Sequence, residues 1–288
     1  MNKSASFIST QVSSGDYYYL NLTPDKKLKE TVVCGGREQC APDYRIERHG
    51  FKFYSLEFVS AGKGTLELRG KSYPLGPGAL FFYGPGISHK IRTDPAAPLL
   101  KHFVDFTGSD LFGLIKKTAL VHTPLYTTSL LRIRSLFESL LKTGGTESRH
   151  RNELCVLILK QLILCIDETA LPQQEAFSQA WQTYFRCRQS IEENFSTLGK
   201  VEQAARDCHL DKAYLCRLFQ RYANETPLQL LTRLKMGRAA EMLSGQNLLI
   251  KQVAEEAGYP DPYHFSRVFK RVYGIHPEAF IQTVRRKG

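Results

Sequence analysis

What most limits the folds open to this chain is a passage that it writes twice. From Asp211 it reads DKAYLCRLFQRYANETP, and from Asp261 it reads DPYHFSRVFKRVYGIHP. At an offset of 50 residues, Asp211 and Asp261, Arg217 and Arg267, Phe219 and Phe269, Arg221 and Arg271, and Pro227 and Pro277 coincide. Self-similarity at a fixed period marks one supersecondary unit used again. Two copies make a duplicated module rather than a solenoid.

Each copy reads as a helix. Leu215, Leu218, Phe219 and Tyr222 stand at i, i+3, i+4 and i+7, as do Phe265, Val268, Phe269 and Val272. That spacing gathers four large apolar groups into one stripe. Asp211 and Asp261 suit the N-cap, where a short carboxylate accepts from unpaired N–H groups of the first turn. Gly274 followed by Pro277 is a stop signal, and the first copy carries Asn224 in the glycine slot. The opposite arc shows Lys212, Ala213, Cys216, Arg217 and Gln220 in one copy, and Pro262, Tyr263, Ser266, Arg267 and Lys270 in the other. Upstream lie two shorter amphipathic segments, Val201–Cys208 with a turn at His209 and Ile250–Ala257 with a turn at Gly258. A short helix, a turn and a longer helix with a polar-basic face describe a helix-turn-helix, here over about 198–222 and 248–272. A pair of surface helices with solvated charges is the plainer reading of either copy alone. The same cap, stripe and arginine in both copies argue against it.

The stretch AEEAGYPDPYHFSRVFKRVYGIHP resembles the C-terminal signature of the AraC/XylS family of bacterial transcription regulators, and the first copy resembles that family's more variable first unit. The likeness covers roughly the last 110 residues. Departures are Tyr259 for phenylalanine, His209 and Asn224 for glycine, and Ile281 where arginine often follows an aromatic. The expected partner is double-stranded DNA, with RNA polymerase as a further candidate. Two recognition helices would enter successive major grooves about 34 Å apart, each raising the other's effective concentration. Arg217 and Arg267 suit bidentate contact with guanine, and Lys212, Tyr263 and Ser266 would add contacts. The resemblance also places contacts at Ala213, Cys216 and Pro262. Arg221, Lys251, Lys270 and Arg271 suit phosphates, which fix register without reading sequence.

At 288 residues the chain suits two domains. Its 39 basic against 28 acidic residues, a formal +11, favour a polyanionic partner, although the excess is shared about equally between the halves. The N-terminus shows no apolar segment after its lysine, and the longest apolar run, 154–166, is broken by Lys160 and Gln161. A cytoplasmic protein at the nucleoid, without membrane contact, is therefore expected. Seven cysteines without Cys-x-x-Cys spacing suit a reducing compartment. Cys155, Cys165, Cys187 and Cys208 read as small buried residues, whereas Cys34 and Cys40 could meet around Gly35-Gly36 in a redox or disulfide role.

Residues 1–30 look like an arm leading to a first strand near 17–22, and 31–107 read as short strands. Turns such as Gly76-Pro77-Gly78 and Gly84-Pro85-Gly86 punctuate them, which points to a sandwich or small barrel. The order of strands and glycine turns resembles the cupin-like barrel of the same family. Cupin enzymes hold a metal with paired histidines and a glutamate, but here the first motif, AGKGTLELRG, lacks histidine and only His89 remains in the second. No metal, cofactor or catalytic residue is therefore assigned. Resemblance to the arabinose-responsive branch implies a pocket bordered by Arg48, Ile91, Lys101 and Phe103, with His89 at a strand end. An arginine and a lysine facing an aromatic wall suit a polyol or a carboxylated sugar. Surface cations beside a core phenylalanine explain these residues equally well.

Residues 129–141 place Leu130, Ile133, Leu136, Phe137, Leu140 and Leu141 on one side, and 153–165 follow with Leu154, Leu157, Ile158, Gln161, Leu162 and Cys165. Two helices across a short turn should lie antiparallel. The second is apolar nearly all round. That fits a homodimer contact through 129–166, or burial between barrel and partner helix. The expected class is α+β in two domains: a cupin-like sensing and dimerisation domain over 1–170, a linker over 171–177, and an all-α DNA-binding domain over 178–288, where a helix from Pro227 joins the two units. The rival readings are a ligand-independent DNA binder with a vestigial barrel, and a cupin enzyme fused to a DNA-binding domain.

Overall fold

A computed structural model of the protein describes residues 11–25, 27–223, 225–245 and 248–285, so Asn224 lies outside the described residues. The chain divides into two compact units, 1–176 and 177–288.

In unit 1 the strands are β1 (Val12–Tyr19), β2 (Thr31–Cys40), β3 (Arg45–Arg48), β4 (Tyr54–Ala61), β5 (Gly64–Leu68), β6 (Lys71–Leu75), β7 (Ala79–Tyr83), β8 (His89–Thr93) and β9 (Leu100–Thr107). Then come helix α1 (Ser109–Ile115), β10 (Leu125–Thr127), the hairpin α2 (Leu130–Gly144) and α3 (Arg151–Thr169), β11 (Ala170–Leu171) and a single turn, α4 (Gln173–Ala176). Among the described residues one sheet runs β1-β2-β9-β4-β7-β10-β11 and a second runs β3-β8-β5-β6, every pair antiparallel. Successive side chains leave opposite faces of a strand. In β4 and β9 that alternation sends Leu56, Phe58, Val104 and Phe106 into one cluster with Ile133, Phe137, Leu159 and Ile163 of the hairpin. The alternate set, Ser55, Glu57, Lys101, Phe103 and Asp105, is also buried, on the other face.

Three expectations change here. Cys34 and Cys40 stand six residues apart on the single strand β2, about 20 Å at strand rise, so they cannot pair. Gly35-Gly36 is mid-strand rather than a turn: a Cβ on Gly35 would lie 2.5 Å from the Tyr18 hydroxyl and 2.7 Å from the Phe103 carbonyl. In α3 the buried face is Cys155, Val156, Leu159, Leu162, Ile163, Cys165 and Ile166, while Leu154, Leu157 and Leu164 are exposed and Ile158 is half-buried. A helix apolar on all sides carries no phase from which to choose. The stretch 171–177, expected as a linker, is largely structured in unit 1, because Leu171 pairs with Tyr126 and Ala176 is buried.

Unit 2 is helical: α5 (Gln179–Asn194), α6 (Val201–Asp207), α7 (Lys212–Tyr222), α8 (Pro227–Gly245), α9 (Ile250–Glu256), α10 (Pro262–Tyr273) and α11 (Pro277–Arg285). Trp181 and Tyr184 of α5 pack their rings on Phe219 and Tyr222 of α7. Met236, Ala239 and Met242 of α8 share a core with Val253, Phe265, Val268 and Phe269. Helix α8 touches α6 and α7 as well as α9 and α10, so one rigid element braces both pairs. Val272, expected in the buried stripe, is 41% exposed because α10 is at its last turn before Gly274 takes the left-handed φ of 79°.

Candidate functional site

Two regions carry chemistry, one in each unit. In unit 2 the Asp211 carboxylate accepts from the Tyr214 backbone N–H at 2.7 Å and that of Asp261 from the Tyr263 N–H at 2.9 Å. These caps fix where α7 and α10 begin, and hence which residues face outward. Each helix buries its stripe: Leu215, Leu218, Phe219 and Tyr222 in α7, and Phe265, Val268 and Phe269 in α10. The opposite arcs are open to solvent. On α7 they hold Lys212, Ala213, Cys216, Arg217 and Arg221, all exposed. On α10 they hold Tyr263, Arg267, Lys270 and Arg271, exposed, with Pro262 and Ser266 half-buried. Tyr263 is 83% exposed, an unusual position for an aromatic unless it meets a partner. Lys251 is exposed on α9.

Local contacts hold several of these groups. Lys212 is paired with Glu202 of α6 at 2.6 Å, both side chains being exposed. The Arg217 guanidinium lies 5.6 Å from the Tyr214 ring centre and that of Arg221 lies 5.1 Å from the Tyr222 ring centre. Lys235 of α8 is buried under the turn of the second unit, 5.7 Å from the Tyr259 ring, and burial lowers its pKa.

The two turns are alike in an unexpected way. His209 takes the left-handed φ of 58° and Gly258 that of 75°. Leu210 N–H donates to the Ala205 carbonyl and Tyr259 N–H to the Ala254 carbonyl, the same bond across five residues. Up to the turn, then, the copies correspond at an offset of 49; the second turn holds one extra residue, and the offset of 50 begins at the capping aspartates.

In unit 1 the alternate face of β4 and β9 lines a recess with Glu38, Ile46, Arg48, Phe51, Glu57, Tyr83, Lys101, Phe103 and Asp105. Its open volume, mouth included, is about 270 Å³, and its centre has room for about one water. Register builds its charge cluster: on β9, Lys101 faces Glu38 of β2, while Glu57 of β4 faces the next inward residue, Phe103. The Lys101 ammonium consequently sits 2.8 Å from Glu38 and 3.0 Å from Glu57. Burial opposes its charge, but the two carboxylates outweigh burial and raise its pKa. Tyr83 donates to Glu57 at 2.5 Å, and the Cys34 thiol donates to Asp105 at 3.5 Å. Asp105 Oδ1 is buried without a partner, and burial pushes its carboxyl up to about 7.

Of the expected pocket residues, the recess brings together Arg48, Lys101 and Phe103. Ile91 is in the core and does not line it; its cross-strand neighbour Ile46 does. His89 is buried behind the wall, stacked on Tyr83 at 3.8 Å, and burial pushes its imidazole down to about 4. The picture of Lys101 as an open cation for a carboxylated ligand is corrected, since two glutamates already occupy it. Glu38, Glu57 and Asp105 escaped the sequence reading, although a charge inside runs such as YSLEFV and HFVDF is itself a signal that something inside the fold meets it. Among the described residues no group of three or more His, Cys, Asp or Glu is placed to hold a metal, and no helix is long and apolar enough to cross a membrane.

Two family models match the chain, one in each unit. Residues 33–163 match the family model of an AraC-like ligand binding domain, and residues 204–283 match that of a helix-turn-helix domain. The MmsAB operon regulatory protein of Pseudomonas aeruginosa is 26% identical over 255 residues, covering 87% of this chain and 82% of that protein. The lactose operon transcription activator of Staphylococcus xylosus is 21% identical over 273 residues, covering 88% and 95%. The arabinose operon regulatory protein of Salmonella typhimurium is 24% identical over 249 residues, covering 83% and 87%.

Proposed function

Since the chain belongs to the AraC family of DNA-binding transcription regulators, we propose that it reads an operator with α7 and α10 and takes a small polar effector in the recess of unit 1. The observation that carries the first part is the pair of aspartate-capped helices, each burying one stripe and presenting an arginine, Arg217 or Arg267, on its open arc. On this reading those arginines take guanine edges, with Lys212, Ala213, Cys216, Pro262, Tyr263 and Ser266 beside them. Arg221, Lys251, Lys270 and Arg271 hold phosphates. A sugar is the effector class that the relatives named for lactose and arabinose operons support, and the former's name supports activation. The relatives are regulators, which favours a regulator without enzymatic activity, acting in the cytoplasm on DNA and RNA polymerase.

A homodimer through α3 belongs to the same proposal. Leu154, Leu157, Gln161 and Leu164 are exposed at spacings of three, four and three, the seam spacing of paired helices. One observation favours a second reading, a ligand-independent binder with a vestigial barrel: the recess is nearly filled by its own side chains. Selection of bound DNA from random sequence, with and without sugars, tests both. A recovered motif that Arg217→Ala and Arg267→Ala leave unchanged would remove the assignment of the reading helices. A motif and an affinity indifferent to every ligand would favour the vestigial barrel.

A further inference from the structure

We propose that Glu202 is a specificity-determining residue that reads no base: held against Lys212, its carboxylate denies the first helix-turn-helix pair the phosphate grip that Lys251 gives the second, and so restrains binding to DNA of unrelated sequence. This rests on reading α7 and α10 as recognition helices and Lys251 as a phosphate contact.

The duplicated module supplies its own comparison. Helices α6 and α9 are each seven residues long, and with the left-handed residues His209 and Gly258 they correspond at an offset of 49. Burial repeats along them, since Ala204, Ala205 and Cys208 are buried, as are Val253, Ala254 and Ala257. Glu202 therefore occupies in α6 the place that Lys251 occupies in α9. At the start of the recognition helices, where the offset is 50, Lys212 stands where the second copy has Pro262. Over these two positions the second pair carries one cation, whereas the first carries a cation and an anion that cancel.

The cancellation is local. Lys212 Nζ donates to Glu202 Oε1 at 2.6 Å, joining the first turn of α7 to the first turn of α6, and both side chains are open to solvent. The hydrogen bond between them raises the pKa of Lys212 and lowers that of Glu202, so both are charged at neutral pH. An ion pair this exposed adds little to stability, and the fold gains little from it.

Its effect falls on a nucleic acid. Binding to DNA of any sequence is carried by cations that neutralise phosphates and release counterions. A lysine bonded to a carboxylate offers a phosphate no net charge, and the carboxylate repels it. On an operator, base contacts fix the helix in one pose, and a freed Lys212 has only the groups that this pose presents. On random DNA no base contact fixes the pose, and a freed Lys212 can take whichever phosphate lies nearest. The carboxylate therefore weakens binding to random sequence more than to operator, which raises the ratio of the two affinities.

The test compares full-length wild type with Glu202→Gln and Glu202→Lys on an operator duplex, recovered by selection, and on a random duplex of equal length, by fluorescence anisotropy over a range of salt. At about 0.1 M salt, Glu202→Gln should bind random DNA about three- to eight-fold more tightly and steepen its slope of log affinity against log salt by about 1. The gain on the operator should be smaller, so that the affinity ratio falls. Glu202→Lys, which copies the second pair, should steepen the slope by about 2. Adding Lys212→Ala to Glu202→Gln should abolish the gain, because Lys212 is the cation set free. Lys251→Gln, expected to lower the slope by about 1 on both duplexes, checks the reading on which the inference rests. If Lys251→Gln does so and Glu202→Gln leaves the slope as it was, the inference falls and that reading stands; if neither moves the slope, both fall. An equal gain on the two duplexes overturns the inference. So does an altered base preference at one operator position with the slope unmoved, the mark of a carboxylate accepting from cytosine. A random-DNA affinity that drops together with the thermal unfolding midpoint overturns it in favour of a structural role.

Discussion

Replacing Asp105 by asparagine should change how the stability of unit 1 depends on pH. Burial is the main cause that pushes this carboxyl up to about 7; hydrogen bonds from Ser55 and Cys34 and the charge of Arg48 offset part of it, and the Glu57 charge adds to it. In an unfolded chain aspartate titrates near 3.9. Between about 4 and about 7 the folded protein holds a proton that the unfolded chain has released, so stability falls as pH rises through that window and is level above it. From pH 5 to pH 8 the linkage amounts to about 2–3 kcal/mol. Asparagine carries no such term. Relative to wild type, Asp105→Asn should therefore gain about 2–3 kcal/mol on going from pH 5 to pH 8, whatever its absolute cost.

The comparison has to be a difference between the two proteins. Burial, with help from nearby cations, pushes His102 down to about 4, and burial does the same to His89. For both, the unfolded chain takes up a proton below about 6.5 that the folded chain refuses, so stability rises with pH from about 4 to about 6.5. These histidines oppose Asp105, and they cancel when variant is subtracted from wild type. Urea unfolding followed by far-ultraviolet circular dichroism at the two pH values measures the quantity. The single tryptophan, Trp181, lies in unit 2, and its fluorescence marks that unit's transition separately. A difference constant to within about 0.5 kcal/mol, roughly the error of extrapolation, would refute the claim that Asp105 is held protonated by burial.

Arg267→Ala should cost about 1–3 kcal/mol on operator DNA and relax specificity at one base pair; equal losses on operator and random DNA would deny it a reading role. Lys270→Ala should weaken all sequences alike and lower the slope of log affinity against log salt by about 1, so an unaltered slope counts against a phosphate contact. Leu157 is 60% exposed on α3, and Leu157→Asp should weaken a two-fold dimer by about 2–4 kcal/mol, each substitution being counted twice. Sedimentation equilibrium reads that loss, and a wild type that stays monomeric at tens of micromolar would dismiss the seam. Asp261→Ala removes the bond to the Tyr263 N–H and should cost about 1 kcal/mol in thermal unfolding, with Asp261→Asn recovering most of it.

How much could be read beforehand differs between the units for a physical reason. Unit 2 is written in local signals: caps, stripes of period 3.6 and a glycine stop lie within a few residues of what they control, so α7 and α10 and their open arcs follow from the sequence. In unit 1 the decisive facts are non-local. Whether Leu157 or Leu159 of α3 faces the sheet depends on what packs there, and a helix apolar all round leaves that choice to its neighbours. The Lys101 triad comes from register between strands far apart in the chain, where a slip of one residue would reverse every side chain. Arg48, Lys101 and Phe103 were accessible through family likeness, whereas Glu38, Glu57 and Asp105 were hidden in strands buried on both faces.

The extra residue in the second turn shows what the duplicated module keeps fixed. Counted from the left-handed residues His209 and Gly258, α7 and α10 are out of step by one position. Counted from Asp211 and Asp261 they are in step, and Arg217 and Arg267 are each the sixth residue after the cap. One residue of slip is 100° on a helix, enough to carry an arginine from the open arc toward the flank. The cap removes that slip because its carboxylate accepts from the first-turn N–H groups and so sets where helical phase begins. Turn length is thereby uncoupled from the direction in which the arc points. The first unit carries a histidine at its left-handed turn position and the second a glycine, with the Lys235 ammonium 2.7 Å from where a Cβ on Gly258 would stand. The two helix-turn-helix units thus differ at their turns and agree at their exposed faces, which is the arrangement expected if the faces meet a common partner.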